Sequence, residues 1–286
     1  MLLLAGLALG LLGGPSGGQG LQPGGRGARA RGRARAGKPS GRGGGSPLIS
    51  SLRAARSSAE VARLVEELKP RSGKDFTVCI SAYGRVRDWR SATGLLDQMR
   101  QGGSAPNVIS YSAAISACGK SGQWERALEL LDEMRQSGVE PNVISFSAAI
   151  SACEKGGQWK RALSLLEEMR QCGIEPDVII YSAAISACEK GERWERALSL
   201  LAEMQQGGLE PDVYSFSAAI SACEKGGQWE RALSLLEDMQ QRGIEPGAIS
   251  YGAAISACEK GGQWERAKAL LEEQQQSSLK AGFTLF

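Results

Sequence analysis

The sequence predicts an all-α fold: a right-handed α-solenoid of stacked 35-residue helix-turn-helix repeats behind a disordered N-terminal leader. Three observations predict it. All six tryptophans (Trp89, Trp124, Trp159, Trp194, Trp229 and Trp264) fall 35 residues apart. Every methionine except Met1 keeps the same period, at Met99, Met134, Met169, Met204 and Met239. Between these marks each unit carries two apolar stripes with helical spacing, parted by glycine, and a fixed period of this length is the signature of a repeat array.

The leader comes first. "MLLLAGLALGLLGG" is apolar, too short to span a membrane, and placed where a signal-peptide core stands. Behind it "RGARARGRARAGKPSGRGGG" has Arg, Ala and Gly, no acid, and almost no apolar surface to bury. Such a tract suits an RNA-contacting tail or a transit peptide, and its place behind the apolar run favours targeting. A signal-like core followed by a transit-like stretch predicts a plastid (chloroplast) reached through the secretory route, with the mitochondrion as the alternative. Residues 1–46 are therefore read as leader. Residues 47–72 are read as a degenerate helical cap, because "PLISSLRAARSSAEVARLVEEL" echoes the middle of a unit without its Trp.

With Val108 as slot 1, complete units run 73–107, 108–142, 143–177, 178–212 and 213–247, a partial one spans 248–282, and 283–286 is a tail. In 143–177 the first helix places Phe146, Ala149, Ile150 and Cys153 on one face. "KGGQ" breaks it, since Gly is costly in a helix and easy in a turn. The second helix sets Trp159, Ala162, Leu163, Leu166 and Met169 on one face. Gly173 is a stop and Pro176 blocks continuation. A lone helix pair cannot bury two stripes, whereas stacked pairs share a continuous core and leave a long concave groove.

Composition narrows the chemistry. The 286-residue chain has no histidine, which excludes His-based triads, His-containing zinc sites and the H-x-E deaminase centre. Nine of its 34 Lys and Arg lie in the first 59 residues, which hold no acid, so the remainder sets 25 against 31 acidic residues. The body is mildly acidic, and overall charge is no argument for nucleic-acid binding. Five of seven cysteines (Cys118, Cys153, Cys188, Cys223, Cys258) also sit 35 apart, with no C-x-x-C pair. Equivalent helices pack about 8–10 Å apart and a disulfide needs Cα atoms within about 7 Å, so these thiols stay reduced. They, the Trp ladder and the Met ladder are read as core.

The unit "VISYSAAISACGKSGQWERALELLDEMRQSGVEPN" (Val108–Asn142) resembles the pentatricopeptide repeat, a family of organellar RNA-binding solenoids. The resemblance rests on the opening V-x-x-Y/F, the "K-x-G" after the first helix, "A-L-x-L-L-x-E-M" and the closing "G-x-x-P-N/D". It covers about 73–282; Trp at slot 17 is peculiar to these copies. What it implies is one nucleotide per repeat, read by slot 5 with slot 35 of the same unit and sandwiched by slot 2 of adjacent units.

Carried over, Thr77 with Asn107 and Ser112 with Asn142 prefer adenine, while Ser147 with Asp177 and Ser182 with Asp212 prefer guanine. A carboxylate only accepts hydrogen bonds and suits guanine's N–H donors, whereas an amide donates and accepts and suits adenine. Ser217 pairs with Gly247 and the last unit has Gly252 at slot 5, so no base is assigned there and the core site is A-A-G-G. The sandwich residues are Ile109, Ile144, Ile179, Tyr214 and Ile249. A basic line at slot 13 (Arg85, Lys120, Lys155, Lys190, Lys225 and Lys260) runs along the phosphates on this reading, or is solvated turn charge on the plain one. The pairs in "WERA" read as outer-surface charge.

The expected function is sequence-selective binding of single-stranded organellar RNA. It would support processing, stability, editing or translation by occupancy or recruitment. The alternative is a scaffold that binds a protein or peptide in the same groove. No enzyme, cofactor, metal or membrane contact after leader removal is expected. Base stacking is worth about 1–3 kcal/mol in favourable cases, so four or five read bases give modest affinity, and processing or editing proteins or neighbouring copies are expected to add selectivity.

Overall fold

The computed structural model describes residues 47–283, with side chains to residue 277. The expected leader, 1–46, and residues 284–286 of the expected tail lie outside the described residues. Within them the chain forms fourteen helices and no strand. Two short helices, α1 (Pro47–Ala54) and α2 (Ser58–Leu68), pack on each other and on the first helix of the array. The first helices of the units are α3 (Gly73–Arg85), α5 (Val108–Lys120), α7 (Val143–Lys155), α9 (Val178–Lys190), α11 (Val213–Lys225) and α13 (Ala248–Lys260). They alternate with α4 (Trp89–Gln101), α6 (Trp124–Gln136), α8 (Trp159–Gln171), α10 (Trp194–Gln206), α12 (Trp229–Gln241) and α14 (Trp264–Phe283). Each first helix packs on its own second helix and on the first helices before and after it, the arrangement of an α-solenoid.

Both helix ends in a unit close by the same device. In 143–177, Gly157 (φ +67°) donates to the Glu154 carbonyl at 3.1 Å and Gln158 N–H to the Cys153 carbonyl at 2.8 Å. After α8, Gly173 (φ +70°) donates to Arg170 at 2.9 Å and Ile174 to Met169 at 3.0 Å. This pair of bonds satisfies carbonyls the helix leaves orphaned, and it needs a left-handed residue. α14 departs from the pattern and runs for 20 residues where α12 stops at 13. There slot 31 is Ser278 and slot 34 is Ala281, so neither the left-handed glycine nor the proline interrupts it.

Slot 15 is left-handed in all six units, yet two of the occupants are not glycine: Arg87 (φ +59°) and Glu192 (φ +55°). A Cβ there costs roughly 1–2 kcal/mol. Glu192→Gly is therefore expected to raise the unfolding free energy by about 0.5–1 kcal/mol, the relieved strain less the entropy that glycine adds to the unfolded chain. Urea denaturation measures this; an unchanged or lower midpoint refutes the strain.

The core follows the predicted stripes with three corrections. Phe146, Ala149, Ile150 and Cys153 are buried, but so are Ser145 and Ala152, because α7 is flanked by α5 and α9 as well as by α8. On α8 the buried face is Ala162, Leu165, Leu166 and Met169, so Leu165 replaces the half-exposed Leu163 of the expected stripe. The Met ladder is fully buried, whereas the Trp ladder lies at the margin of the core: Trp89 to Trp229 are half-buried and packed against it, and Trp264 is exposed. Each of Trp124, Trp159, Trp194 and Trp229 lies edge-on against the slot-14 glycine of the following unit (Gly156, Gly191, Gly226, Gly261). Arginines cover the outer faces of Trp159, Trp194 and Trp229, with guanidinium carbons 5.1 Å from the rings.

All seven cysteines are free thiols, and burial pushes Cys118, Cys153, Cys188 and Cys223 up to about 11. On the second-helix side, Arg100 binds both the Tyr111 hydroxyl (2.8 Å) and Glu133 (2.7 Å) of the next unit. Arg170 repeats this with Tyr181 and Glu203 at the same distances. Arg126, from "WERA", also reaches Glu133 at 2.9 Å. Burial opposes the Glu133 charge, but the two arginines outweigh it and hold this carboxyl below the usual range.

Candidate nucleic-acid interface

The residues assigned to base reading sit on or beside the first helices. Slot 35 of each complete unit lies one residue before the first helix of the next unit and is its N-cap. Asn107 Oδ1 accepts from the N–H groups of Ile109 and Ser110 at 3.1 and 3.0 Å, and Asn142 Oδ1 from Ser145 at 3.1 Å. Asp177 Oδ1 accepts from Ile180 at 2.9 Å and Asp212 Oδ1 from Ser215 at 2.8 Å. Gly247 makes no such bond. Capping uses an atom that Asn and Asp share. The atoms that differ, Nδ2 of Asn107 and Asn142 and Oδ2 of Asp177 and Asp212, make no hydrogen bond among the described residues. Capping thus leaves the opposite edge of the side chain, where Asn and Asp differ, unoccupied.

Slot 5 is more constrained. Thr77 donates to the Gly73 carbonyl at 2.8 Å, Ser112 to Val108 at 2.7 Å, Ser182 to Val178 at 2.7 Å and Ser217 to Val213 at 2.6 Å. Three of these hydroxyls also meet the slot-3 serine of the following unit: Ser112 with Ser145 (2.9 Å), Ser182 with Ser215 (2.7 Å) and Ser217 with Ser250 (2.8 Å). Ser112 and Ser217 are buried. Their hydroxyl protons are already engaged, which limits how freely they can turn toward a base. Ser147 is the exception: the next slot 3 is Ile180, and Ser147 makes no hydrogen bond among the described residues. Slots 5 and 35 of one unit do meet, since Ser182 Oγ lies 3.3 Å from Asp212 Oδ1.

Slot 2 carries the clearest surface feature. Ile109, Ile144, Ile179, Tyr214 and Ile249 are 64–77% exposed. With Val143 and Val213 beside them, they account for seven of the nine large apolar side chains exposed among the described residues. Exposed apolar groups gathered at the first two slots of successive repeats have the character of an interaction surface. Ile144, Ser147, Lys120 and Lys155 line a single cleft of about 260 Å³ between α5 and α7, with Ser116, Gly119, Ala148 and Ser151. Slots 2, 5 and 13 therefore share one face.

The basic line at slot 13 is exposed but uneven. Lys190 contacts Glu154, Lys225 is 2.6 Å from Glu189 and Lys260 is 2.5 Å from Glu224. Arg85 donates to the Leu52 carbonyl. Lys120 and Lys155 make no ion pair among the described residues. Slot 12, which decides this, was not singled out in the sequence, although the change from "ACGK" to "ACEK" was there to be seen. Among the described residues no group of three or more His, Cys, Asp or Glu is placed to hold a metal, and no helix is long and apolar enough to cross a membrane.

Comparison with known proteins bears on the repeat fold. A PPR repeat family model matches residues 106–155, 143–190 and 176–225, a pentatricopeptide repeat domain model matches 67–121, and a PPR repeat model matches 214–244 and 249–273. No curated protein matches the chain. Among solved structures, the pentatricopeptide repeat protein PPR10 from maize is 28% identical with a TM-score of 0.64, over 81% of this chain and 34% of that one. The chain thus spans about a third of the maize protein. PPR10 in complex with an 18-nt psaJ RNA element aligns over 81% of this chain and 40% of that one, at 20% identity and a TM-score of 0.50. The PPR domain of the Arabidopsis thaliana protein-only RNase P 1, in complex with tRNA, is 15% identical with a TM-score of 0.54, over 65% of this chain and 95% of that domain. At 15–20% identity the last two speak for the fold alone.

Proposed function

Since the chain belongs to the pentatricopeptide repeat family, we propose that it binds single-stranded RNA in an organelle, one base per repeat, over a core of A-A-G-G. The observation that carries this reading is the exposed slot-2 ladder set beside cap residues whose distinguishing atoms are unbonded. A base slides between two apolar slot-2 side chains and meets, at its Watson–Crick edge, either the Asn amide or the Asp carboxylate. The unit 143–177 is best prepared: Ile144 is exposed, Ser147 and Asp177 Oδ2 are unbonded, and Lys155 is unpaired. Binding acts by occupancy, shielding or remodelling a transcript, with processing or editing proteins as partners. The composition of the leader supports a plastid or, failing that, a mitochondrion as its place of work.

The test is salt-titrated binding of the full chain to short RNAs that carry A-A-G-G or U-U-C-C, and to the matching DNA. Tighter binding of A-A-G-G RNA is expected, by roughly tenfold or more if two base contacts each contribute about 1 kcal/mol. Equal and weak binding to every oligonucleotide, collapsing with salt, retires the code. The apolar ladder then belongs to a scaffold that takes a peptide.

A further inference from the structure

The slot-13 cations do not form one rail. We infer that anion binding is concentrated in a single pocket of Arg87, Lys120 and Lys155, and that slot-12 carboxylates of the later units silence the remaining lysines. The proposal rests on the RNA reading above for the identity of its ligand, a phosphodiester backbone.

A slot-12 side chain lies beside slot 13 of the following unit. Where slot 12 is glutamate the lysine is held: Glu154 by Lys190, Glu189 by Lys225 at 2.6 Å, and Glu224 by Lys260 at 2.5 Å. Serines anchor two of these carboxylates, with Ser186 donating to Glu154 at 3.1 Å and Ser256 to Glu224 at 3.0 Å. The glutamate side chains are 16–18% exposed, so these pairs are better shielded from salt than open surface pairs. In the first two units slot 12 is Gly84 and Gly119, packed on Ala117 and Ala152 of the next helix. Lys120 and Lys155 consequently meet no slot-12 carboxylate and make no ion pair among the described residues.

These two lysines line an open cavity of about 570 Å³ with Arg87, Trp89, Ser121 and Gly122, and no acidic residue lines it. Ser121 donates to the Arg87 carbonyl at 2.9 Å, which ties the left-handed Arg87 turn to the next one. The nearest carboxylate in sequence, Asp88, does not line the cavity and accepts hydrogen bonds from Ser58 and Ser91. Three cations that make no ion pair among the described residues, gathered around one cavity, suit phosphate oxygens, because an anion there displaces water and counterions and breaks none of the ion pairs seen there.

Two arms test this on the full chain. In the first, the slope of log affinity against log salt is measured for A-A-G-G RNA. Replacing Lys120 and Lys155 together by Ala should reduce the slope by about 1.4, from about 0.7 per single-strand phosphate contact. The Lys225/Lys260 double replacement should leave it unchanged, and Glu189→Gln should raise it by about 0.7 as Lys225 is released. Equal losses from both lysine pairs overturn the inference in favour of a uniform rail.

In the second arm, inorganic tripolyphosphate is titrated against the chain with ¹³C-methylated lysines. Lys120 and Lys155 signals should move before those of Lys190, Lys225 and Lys260. Simultaneous movement, or none, overturns the inference. If the early shifts occur in a chain that binds no RNA, the anion pocket stands and the RNA reading falls.

Discussion

Gly191→Ala is expected to destabilise the protein by about 1–3 kcal/mol, the usual range for forcing a methyl into a filled site. A Cβ at residue 191 meets Trp159 Cδ1 at 2.2 Å and Cγ at 2.6 Å, atoms at the root of the indole that move only if the whole side chain or the turn shifts. Arg193 lies over the same ring, with its guanidinium carbon 5.1 Å from the centroid, and the ring edge abuts the turn backbone. The clash sits at the joint between units 143–177 and 178–212, so it strains the stacking on which a solenoid's stability depends.

Gly252→Ala is the internal control with the opposite sign. Gly252 stands inside α13 with nothing within 4 Å of an added Cβ, so alanine there should stabilise by about 0.5–1 kcal/mol. Urea denaturation of both variants, together with Gly191→Ala combined with Trp159→Ala, makes a double-mutant cycle. If the loss at residue 191 is as large without the indole as with it, the contact is not its cause.

The second large effect concerns recognition. Asp177→Asn is expected to move the preference of the third read position from guanine to adenine, a change of about 1–3 kcal/mol in discrimination. The substitution is nearly isosteric, and asparagine caps a helix about as well as aspartate, so Oδ1 keeps its 2.9 Å bond from Ile180 N–H. What changes is the opposite edge, where an amide donor replaces a carboxylate acceptor. Ser147, the unbonded slot-5 hydroxyl, can adjust to either base. Competition binding of A-A-G-G against A-A-A-G RNA reads the result. An unaltered order of preference, with the fold intact by circular dichroism, would mean that slot 35 caps and does nothing more.

Legibility in the sequence was uneven for physical reasons. The ends of α7 and α8 could be foretold because caps and stops are local: a left-handed glycine and a proline act within four residues of themselves. α14 runs on for the same reason, since the glycine and proline slots are empty of both. The position of Asp177 before α9 was equally plain. Its Oδ2 could be seen to be unbonded only once its Oδ1 had been placed on the Ile180 N–H.

The sequence by itself determined the period, the two helices per unit, their ends and most of the buried stripe, because these follow from contacts three or four residues apart within one helix. Tertiary structure decided what passes between units: that Glu154 meets Lys190 and leaves Lys155 uncommitted, that Ser112 meets Ser145, and that Trp159 rests on Gly191 at the margin of the core. Those partners stand 32 to 36 residues apart, a separation close to the period, and small differences in offset select different neighbours. Which of them touch is set by how one helix pair is displaced against the next, a geometry that packing imposes and that no single unit encodes.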